Sequence, residues 1–594
     1  MKRKKSRQEN RLLLHLVFSL LPVQVLVVAM GSVNSLVDGV VASRCIAAEM
    51  VGVVGLYYSL LRILEAINAV LLGGSSVLCG RYMGSGRVDR TSGVFSLNLF
   101  IAFVCGAAVT ILSLAFPSQL ADLLGADRLL RDALTTYIRW YAIGVIPLLL
   151  GPQLASFLQL EHQGRRCYIG IAAMILTNVT LDILFVAVWN LDVMGLALAT
   201  SVSNWVYFLI LVTYYISKKA QLSIRLSGIL WGDLPEMLRI GFSGALLVFC
   251  LAARSLVINR TLLAYAGSDG LSAMTAFNMI SGLFLALSLG AGAVVRMLTS
   301  VYVGEEDRES VITLIWIMVT NVLALAAVVG LAFFLFSGWI AGLFFADPAS
   351  VVFAMTRQLF TIYSVCIPLV LVCAVSSNYF QAIGRIVFVN ILSVFDGFLG
   401  MVVPALLLAP RFGATGVWLS ILFGILVTAV IPQIYSVFCC GFFPGNMSDW
   451  LLLTQVFPEK GKRYAVTLTR LEEVAPMAEQ IQNFCEKNQI GHTTAGNAAL
   501  CMEEMALNIF QHGFPARRRY HSVDLRVIIR EDTVLLRIKD NGIPFNPEER
   551  AALVREDSPY KNIGTRIVHG LASEISYQNL MGLNVLTIEV GRHA

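Results

Sequence analysis

From Leu12 to about Phe443, long apolar runs follow one another with short polar stretches between them; from about Glu459 charged residues return in nearly every turn. A helix of about 20 apolar residues crosses the hydrocarbon core of a bilayer, and within lipid it satisfies its own backbone polar groups. The pattern predicts spans near 12–40, 50–78, 92–116, 132–160, 167–189 and 193–216, and six more near 236–264, 270–298, 310–336, 352–382, 386–409 and 414–438. The stretch Cys440–Arg463 holds Pro444, Gly445 and Pro458 and reads as a linker, with Asp449–Phe457 apolar enough for one helix along the membrane surface. Beyond it the period changes. Ala465–Leu468 reads as a strand, and Val474–Asn488 and Thr493–His512 as amphipathic helices. Val523–Arg530 and Thr533–Lys539 alternate as strands around Glu531-Asp532, and Ile575–Gln578 with Leu583–Val590 form another hairpin.

The expected organisation is a polytopic α-helical membrane protein of about twelve transmembrane helices in two six-helix repeats, followed by a C-terminal α+β domain. The boundaries run 1–11 (basic N-terminus), 12–217 (first lobe), 218–235 (inter-lobe loop), 236–440 (second lobe), 441–463 (linker) and 464–594 (soluble domain). Composition agrees: 57% of residues are hydrophobic and 14% charged, against about 25% charged in soluble globular proteins, which excludes an ordinary soluble enzyme. Eleven cysteines occur with no metal-site or disulfide spacing.

Charge placement gives an expected orientation. Lys2, Arg3, Lys4, Lys5, Arg7 and Arg11 precede the first apolar run, which is too long for a signal peptide and contains Asn34 and Asp38, so it reads as an uncleaved first span. One set of loops holds that basic start, Arg81/Arg87/Arg90, Arg165/Arg166, Lys218/Lys219/Arg225, Arg308 and Arg385; the opposite set holds Arg44, Arg128/Arg131 and Arg411. Basic loops stay inside, so both termini are expected in the cytoplasm of a bacterial-type cell, with the lipid bilayer as partner and no nucleic acid.

The two halves echo each other. LLGAD (Leu123–Asp127), Ile146-Pro147-Leu148, SFLQLEHQGR (Ser156–Arg165), a span with Asp182 and VMGLALATSVSNW (Val193–Trp205) are followed in the same order by LFFAD (Leu343–Asp347), Ile367-Pro368-Leu369, NYFQAIGR (Asn378–Arg385), a span with Asp396 and ATGVWLSILFG (Ala414–Gly424). Parallel repeats mark secondary transporters, with the binding site between the halves.

Ionisable groups inside a membrane are costly and face a cavity or a partner. Asp38, Glu65 and Asp182 are the first-half candidates. Asn34/Asp38 and Asn178/Asp182 each stand four apart and share a helix face, and Thr200 lies on the sixth span. Two carboxylates in low dielectric resist joint ionisation, so a proton or a Na⁺ is expected between them. The second half offers Arg254 and Asp396, as a pair or as cavity residues.

SVNSLVDGVVAS (Ser32–Ser43), GGSSVLCGRYMGSGR (Gly73–Arg87), FLQLEHQGR with the Asn178/Asp182 span, and MGLALATSVSN resemble the multidrug and toxic-compound extrusion (MATE) family over roughly residues 10–440. The resemblance implies a cation-coupled antiporter exporting a small organic or drug-like solute, with Asp38, Asn178 and Asp182 at a cation site of the first lobe. Lipid and glycan flippases of the same architecture are an alternative. The family's seventh-span carboxylate has no counterpart in Ala252–Val257.

Three motifs follow in the soluble domain: EEMALNIFQHG (Glu503–Gly513), placing Glu504, Asn508 and His512 at four-residue spacing; KDNGIPF (Lys539–Phe545) at a strand end; and NIGTRIV (Asn562–Val568), a glycine turn opening a helix. A helix N-terminus binds phosphate, and a carboxamide suits hydrated Mg²⁺. Together they resemble the GHKL ATP-binding (Bergerat-type) superfamily, closest to anti-sigma-factor serine kinases, with Lys561-Asn562 where a double glycine is usual. The resemblance implies Glu504 as general base, Asn508 as Mg²⁺ ligand, Asp540 as adenine reader, Gly542 and Gly564 as close-approach glycines and Thr587 as an adenine-side hydroxyl. ATP and Mg²⁺ are the implied cofactors, and a cytoplasmic Ser/Thr phosphoacceptor protein the implied partner. A receptor-kinase, in which the membrane half senses and the soluble half phosphorylates, is the alternative organisation.

Overall fold

The computed structural model describes residues 2–41, 46, 50–125, 130–217, 220–225, 228–345, 347–457, 462–514, 522–530, 533–544, 563–580 and 582–591. The expectations for Arg44, Ala126-Asp127, Arg128, Lys218/Lys219, Ala346, Pro458, Glu531-Asp532, Phe545 and Lys561-Asn562 fall outside them.

Among the described residues, ten helices are long and apolar enough to span a bilayer, and a pair bent by 46° completes an eleventh. One of the ten, Leu234–Gly304, is two spans joined at Gly267, whose φ of 65° costs glycine little because it has no Cβ. Twelve spans result, as the hydropathy predicts. In the first lobe they are α1 (Lys2–Val41), α2 (Val51–Gly84), α3 (Val88–Ala115), α4 (Arg131–Ala142 and Val145–Leu160), α5 (Gly164–Val188) and α6 (Asp192–Ile216). The second lobe holds α7 (234–266), α8 (268–304), α9 (Arg308–Phe344), α10 (Val351–Ala382), α11 (Ile386–Phe412) and α12 (Ala414–Cys440). Both halves carry a π-helical segment at the repeated acid: Ile183–Val188 directly after Asp182, and Phe395–Leu399 around Asp396. Such bulges turn side chains out of the α-helical register and recur at functional sites.

The lobes meet where α2 ends, α7 begins and α8 ends. There Gly241 lies against the Val70 carbonyl and Gly304 against the Arg81 carbonyl, so closely that a Cβ on either would overlap the oxygen. Small residues let backbones approach within lipid, where dispersion replaces the hydrophobic effect as the packing force. Arg296 of α8 adds a polar bond across the seam, to Ser76 Oγ of α2 (3.0 Å), while its other arm donates to Asn378 Oδ1 of α10 (2.8 Å) within the second lobe. Away from this seam, Arg62 and Glu65 of α2 remain 42% and 48% exposed.

The linker departs from the expected surface helix. Two short turns, Met447–Trp450 and Leu453–Val456, are separated by Leu452 in a left-handed conformation. Leu451, Leu452 and Leu453 are consecutive, so a continuous helix would point them in different directions; the break lets all three bury against the bundle. Tyr379 Oη and Ser436 Oγ donate to the Leu451 and Trp450 carbonyls, at 2.6 and 2.7 Å.

The C-terminal domain is an antiparallel five-stranded sheet, β1 (Arg463–Leu468), β2 (Val523–Ile529), β3 (Thr533–Asp540), β4 (Glu574–Leu580) and β5 (Leu583–Gly591), in the order β1-β2-β3-β5-β4. Leu525, Val527, Val534, Leu536, Ile538, Leu586 and Ile588 face the helices α13 (Val474–Lys487), α14 (His492–Asn508) and α15 (Ile563–Leu571). The alternate residues form the other face, which meets the end of the membrane bundle where the lobes are closed.

The seam predicts that Gly241→Ala lowers the apparent melting temperature by several degrees, read by fluorescence-detected size exclusion in detergent. Gly55→Ala, where a Cβ meets nothing within 4 Å, is the control and leaves it unchanged.

Candidate functional sites

Asp38, Asn178, Asp182 and Thr200 come together inside the first lobe, all buried. Asp38 and Asp182 are direct neighbours. The Thr200 hydroxyl lies 3.3 Å from Asp38 Oδ2 and 3.4 Å from Asn178 Nδ2, and also reaches the Leu196 carbonyl. What distinguishes the cluster is what it leaves unmade. Asp38 Oδ1, Asn178 Oδ1 and both Asp182 carboxylate oxygens are buried without a hydrogen-bond partner among the described residues, as is Asn34 Oδ1 one turn before Asp38 on α1. Buried polar groups are nearly always satisfied, and an uncompensated buried charge costs several kcal/mol. An all-oxygen set with two carboxylates and no donor to spare fits a proton or a hard cation, not a thiophilic metal.

Beside this pocket stand three tyrosines that the sequence reading did not single out. Tyr57 of α2 packs 4.5 Å from Tyr141 and 5.0 Å from Tyr137 of α4, centroid to centroid. Asp38 acts electrostatically on Tyr137 and Tyr141, and Glu65 on Tyr141. The four-residue spacing of Tyr137 and Tyr141 was the available signal. Glu65 itself is paired with Arg62 at 2.9 Å.

The second lobe is built differently at the corresponding place. Arg254-Ser255-Leu256-Val257-Ile258 repeats the frame of Asn34-Ser35-Leu36-Val37-Asp38, with an arginine for the asparagine and an isoleucine for the carboxylate. Arg254 Nη1 donates to the Asp396 main-chain oxygen at 3.2 Å, and its charge lies next to the Asp396 carboxylate. A fixed guanidinium thus stands beside the repeated acid.

In the C-terminal domain the three motifs converge on the helix-covered side of the sheet. Asp540 Oδ1 accepts from Gly542 N at 2.7 Å and from Asn584 Nδ2 at 2.9 Å, and Ile543 N donates to the Gly513 carbonyl at 2.7 Å. A Cβ at Gly542 would sit 2.7 Å from both Asp540 Oδ1 and Gly513 O, and one at Gly564 would overlap Glu504 Oε2. Asn508 Nδ2 is buried with no partner. His512 leaves the face it was expected to share: α14 ends at Asn508, a π turn follows over Ile509–Gly513, and His512 is exposed. Thr587 is also displaced. It pairs with Arg537 in the β3–β5 register and shares the face opposite Asp540, where Arg537 Nε donates to its hydroxyl at 3.4 Å. Asn584, three residues earlier, is the polar β5 side chain that reaches Asp540; strict two-residue alternation from Ile588 and Leu586 assigns it to that face.

The MatE family profile matches residues 24–184 and again 245–406, more than half of the chain and once per lobe. The chain belongs to the MatE family. A second profile, the histidine kinase-like ATPase domain, matches residues 468–590. This is therefore a multi-pass MATE transporter carrying a GHKL-type ATPase domain. Curated MATE relatives include the multidrug export protein MepA of Staphylococcus saprophyticus, 22% identical over 417 residues (68% of this chain and 90% of MepA), and that of Staphylococcus haemolyticus, 23% identical over 421 residues (68% and 90%). The fold matches a MATE protein solved in complex with MaL6 and a multidrug-resistance MATE transporter of the MOP superfamily in its outward-facing conformation. Each gives a TM-score of 0.65 at 22% identity, covering 70% of this chain and 94% of the other.

The Asp540 carboxylate and the Gly542 and Gly564 approaches fit a nucleotide, and the orphaned Asn508 Nδ2 has a donor free for one of its acceptor oxygens, among the described residues. ATP held there would supply binding energy and a transferable phosphoryl group. The geometry predicts that Asp540→Asn weakens binding of a fluorescent ATP analogue to the full-length MATE chain by about tenfold or more, roughly 1.4 kcal/mol. Thr587→Ala, on the far face, is expected to leave affinity within about twofold in the same titration.

Proposed function

We propose that this MATE protein is an antiporter that exports an organic cation in exchange for one proton or Na⁺ held between Asp38 and Asp182. One observation carries the reading: four carboxyl and carboxamide oxygens of Asp38, Asn178 and Asp182, from α1 and α5, are buried without hydrogen-bond partners among the described residues. Such a set is satisfied only when a proton or cation enters it. Cargo and coupling ion then compete for the same negative charge, and binding of one favours departure of the other.

In the second lobe Arg254 already supplies positive charge to the repeated acid, so that lobe holds no second exchangeable ion. With the basic loops inside, the end of the bundle where α2, α7 and α8 meet faces the cytoplasm. The ATPase domain then lies in the cytoplasm, where it regulates export with ATP; driving energy comes from the ion gradient.

The test is dye movement in vesicles. Ethidium exchange under an imposed H⁺ or Na⁺ gradient is expected for the wild-type chain. Asp38→Asn and Asp182→Asn are each expected to lower it by about tenfold or more, because an intramembrane carboxylate is worth several kcal/mol to its cation. Asp396→Asn is expected to retain most of it. Gradient-driven exchange that survives both first-lobe substitutions overturns the reading.

A further inference from the structure

The face of the sheet turned away from the nucleotide motifs carries Arg463, Arg526, Arg537 and Lys539, with Asp524 paired to Arg526 at 2.7 Å, and an acidic turn is seated on these basic side chains. Glu305-Glu306-Asp307 joins α8 to α9. Lys539 Nζ lies 3.0 Å from Glu305 Oε2, Arg526 Nη2 lies 2.6 Å from Asp307 Oδ2, and Arg463 Nη2 lies 2.6 Å from Glu306 Oε2. Arg537 and Arg463 also donate to the main-chain oxygens of Glu305 and Glu306. The Glu305 and Asp307 side chains are only 1% and 2% exposed, so this is no surface contact. Burial alone would raise the Asp307 carboxyl, but the Arg526 and Lys539 charges outweigh it and hold it below the ordinary carboxylate range.

The same face also touches the first lobe. Ser576 Oγ donates to the Gly86 carbonyl at 3.0 Å, in the turn between α2 and α3. Gly582 sits against the His162 ring, in the turn between α4 and α5, where a Cβ would come within 3.0 Å of Nδ1. One rigid sheet therefore holds turns from both lobes at the end where α2, α7 and α8 are closed on each other. Lys539 and Asp540 are consecutive on β3, one facing the acidic turn and the other the nucleotide motifs.

We propose that the ATPase domain is an intramolecular clamp: one sheet face pins the adjoining ends of both lobes, holding Glu305, Glu306 and Asp307 of the second lobe by ion pairs and the Gly86 and His162 turns of the first lobe by close contact, and the lobes part only when the acidic turn leaves the face. The clamp rests on the transporter reading above for its physiological meaning, and it deepens that reading by naming the regulated contact.

The experiment uses the full-length chain in nanodiscs and in vesicles. Glu305→Gln with Asp307→Asn removes the charges at constant shape, and Glu305→Lys with Lys539→Glu reverses one pair. Three quantities are read: deuterium uptake of the peptide covering residues 302–310, maleimide labelling of a Ser300→Cys site buried at the lobe seam against Gly80, and ethidium exchange. Neutralisation is expected to raise uptake and labelling about tenfold and to speed exchange severalfold, since a buried pair loses most of its hold when its charges go. The reversed pair is expected to restore protection. Unchanged uptake in the neutralised variant overturns the interface; increased uptake without faster labelling overturns the clamp and leaves only a scaffold. Labelling needs no cargo, so a chain that moves no dye but labels faster on neutralisation keeps the clamp and loses the transporter reading. Because Asp307 is held low by Arg526 and Lys539, with Glu305 and Asp524 nearby, its contribution is complete above its undocked value near about pH 4. Protection of residues 302–310 is accordingly expected to stay flat from pH 8 to 5 and to fall only in stronger acid.

Discussion

Two carboxylates buried as direct neighbours within a helical bundle cannot both carry their charge in low dielectric without compensation. The rest of the membrane domain is arranged around that constraint. α1 and α5 each present an acid and a carboxamide four residues apart, and α6 adds a hydroxyl. A π-helical segment begins directly after Asp182 and alters how the rest of α5 packs. Under the proposed function a mobile ion supplies that compensation and is coupled to cargo. In the second lobe the Arg254 guanidinium, bonded to the Asp396 main-chain oxygen, stands beside the repeated acid instead.

The spans were legible because hydropathy reports the bilayer directly, and their twelvefold count survives even where α7 and α8 run on through Gly267. The first-lobe residues were legible because charge inside an apolar run has few harmless explanations. The three tyrosines were not: an aromatic residue in a membrane helix is ordinary, and only the fold shows Tyr57 meeting Tyr137 and Tyr141. In the soluble domain, the residues named from motif order, Asp540, Asn508 and Gly564, lie on the helix-covered side of the sheet, while Thr587 lies on the other, because resemblance gave a residue type without its strand parity. Asn584 has the parity and makes the bond. The basic sheet face was equally hidden. Arg526, Arg537 and Lys539 alternate with apolar residues as an exposed face would, and nothing in a linear pattern reveals that an acidic turn covers them.

The two halves are linked by energies of comparable size. Losing one partner of a buried ion pair costs about 3–5 kcal/mol, and a micromolar ligand brings about 8 kcal/mol. A ligand shifts an equilibrium only by the difference between its affinities for the two states. A nucleotide that bound the undocked domain better by a few kcal/mol would therefore suffice to release the acidic turn, and one that bound both states equally would do nothing. The adjacency of Lys539 and Asp540 on one strand gives such a difference a physical route.

Under the proposed function a single ion is held between Asp38 and Asp182 and is displaced by cargo. Calorimetry of an organic cation binding to the purified chain, repeated in buffers of different ionisation enthalpy and with or without Na⁺, counts that ion directly. Displacement of one proton or one Na⁺ per chain, abolished in Asp182→Asn, is expected; no ion displaced, or two, overturns a shared single-ion site.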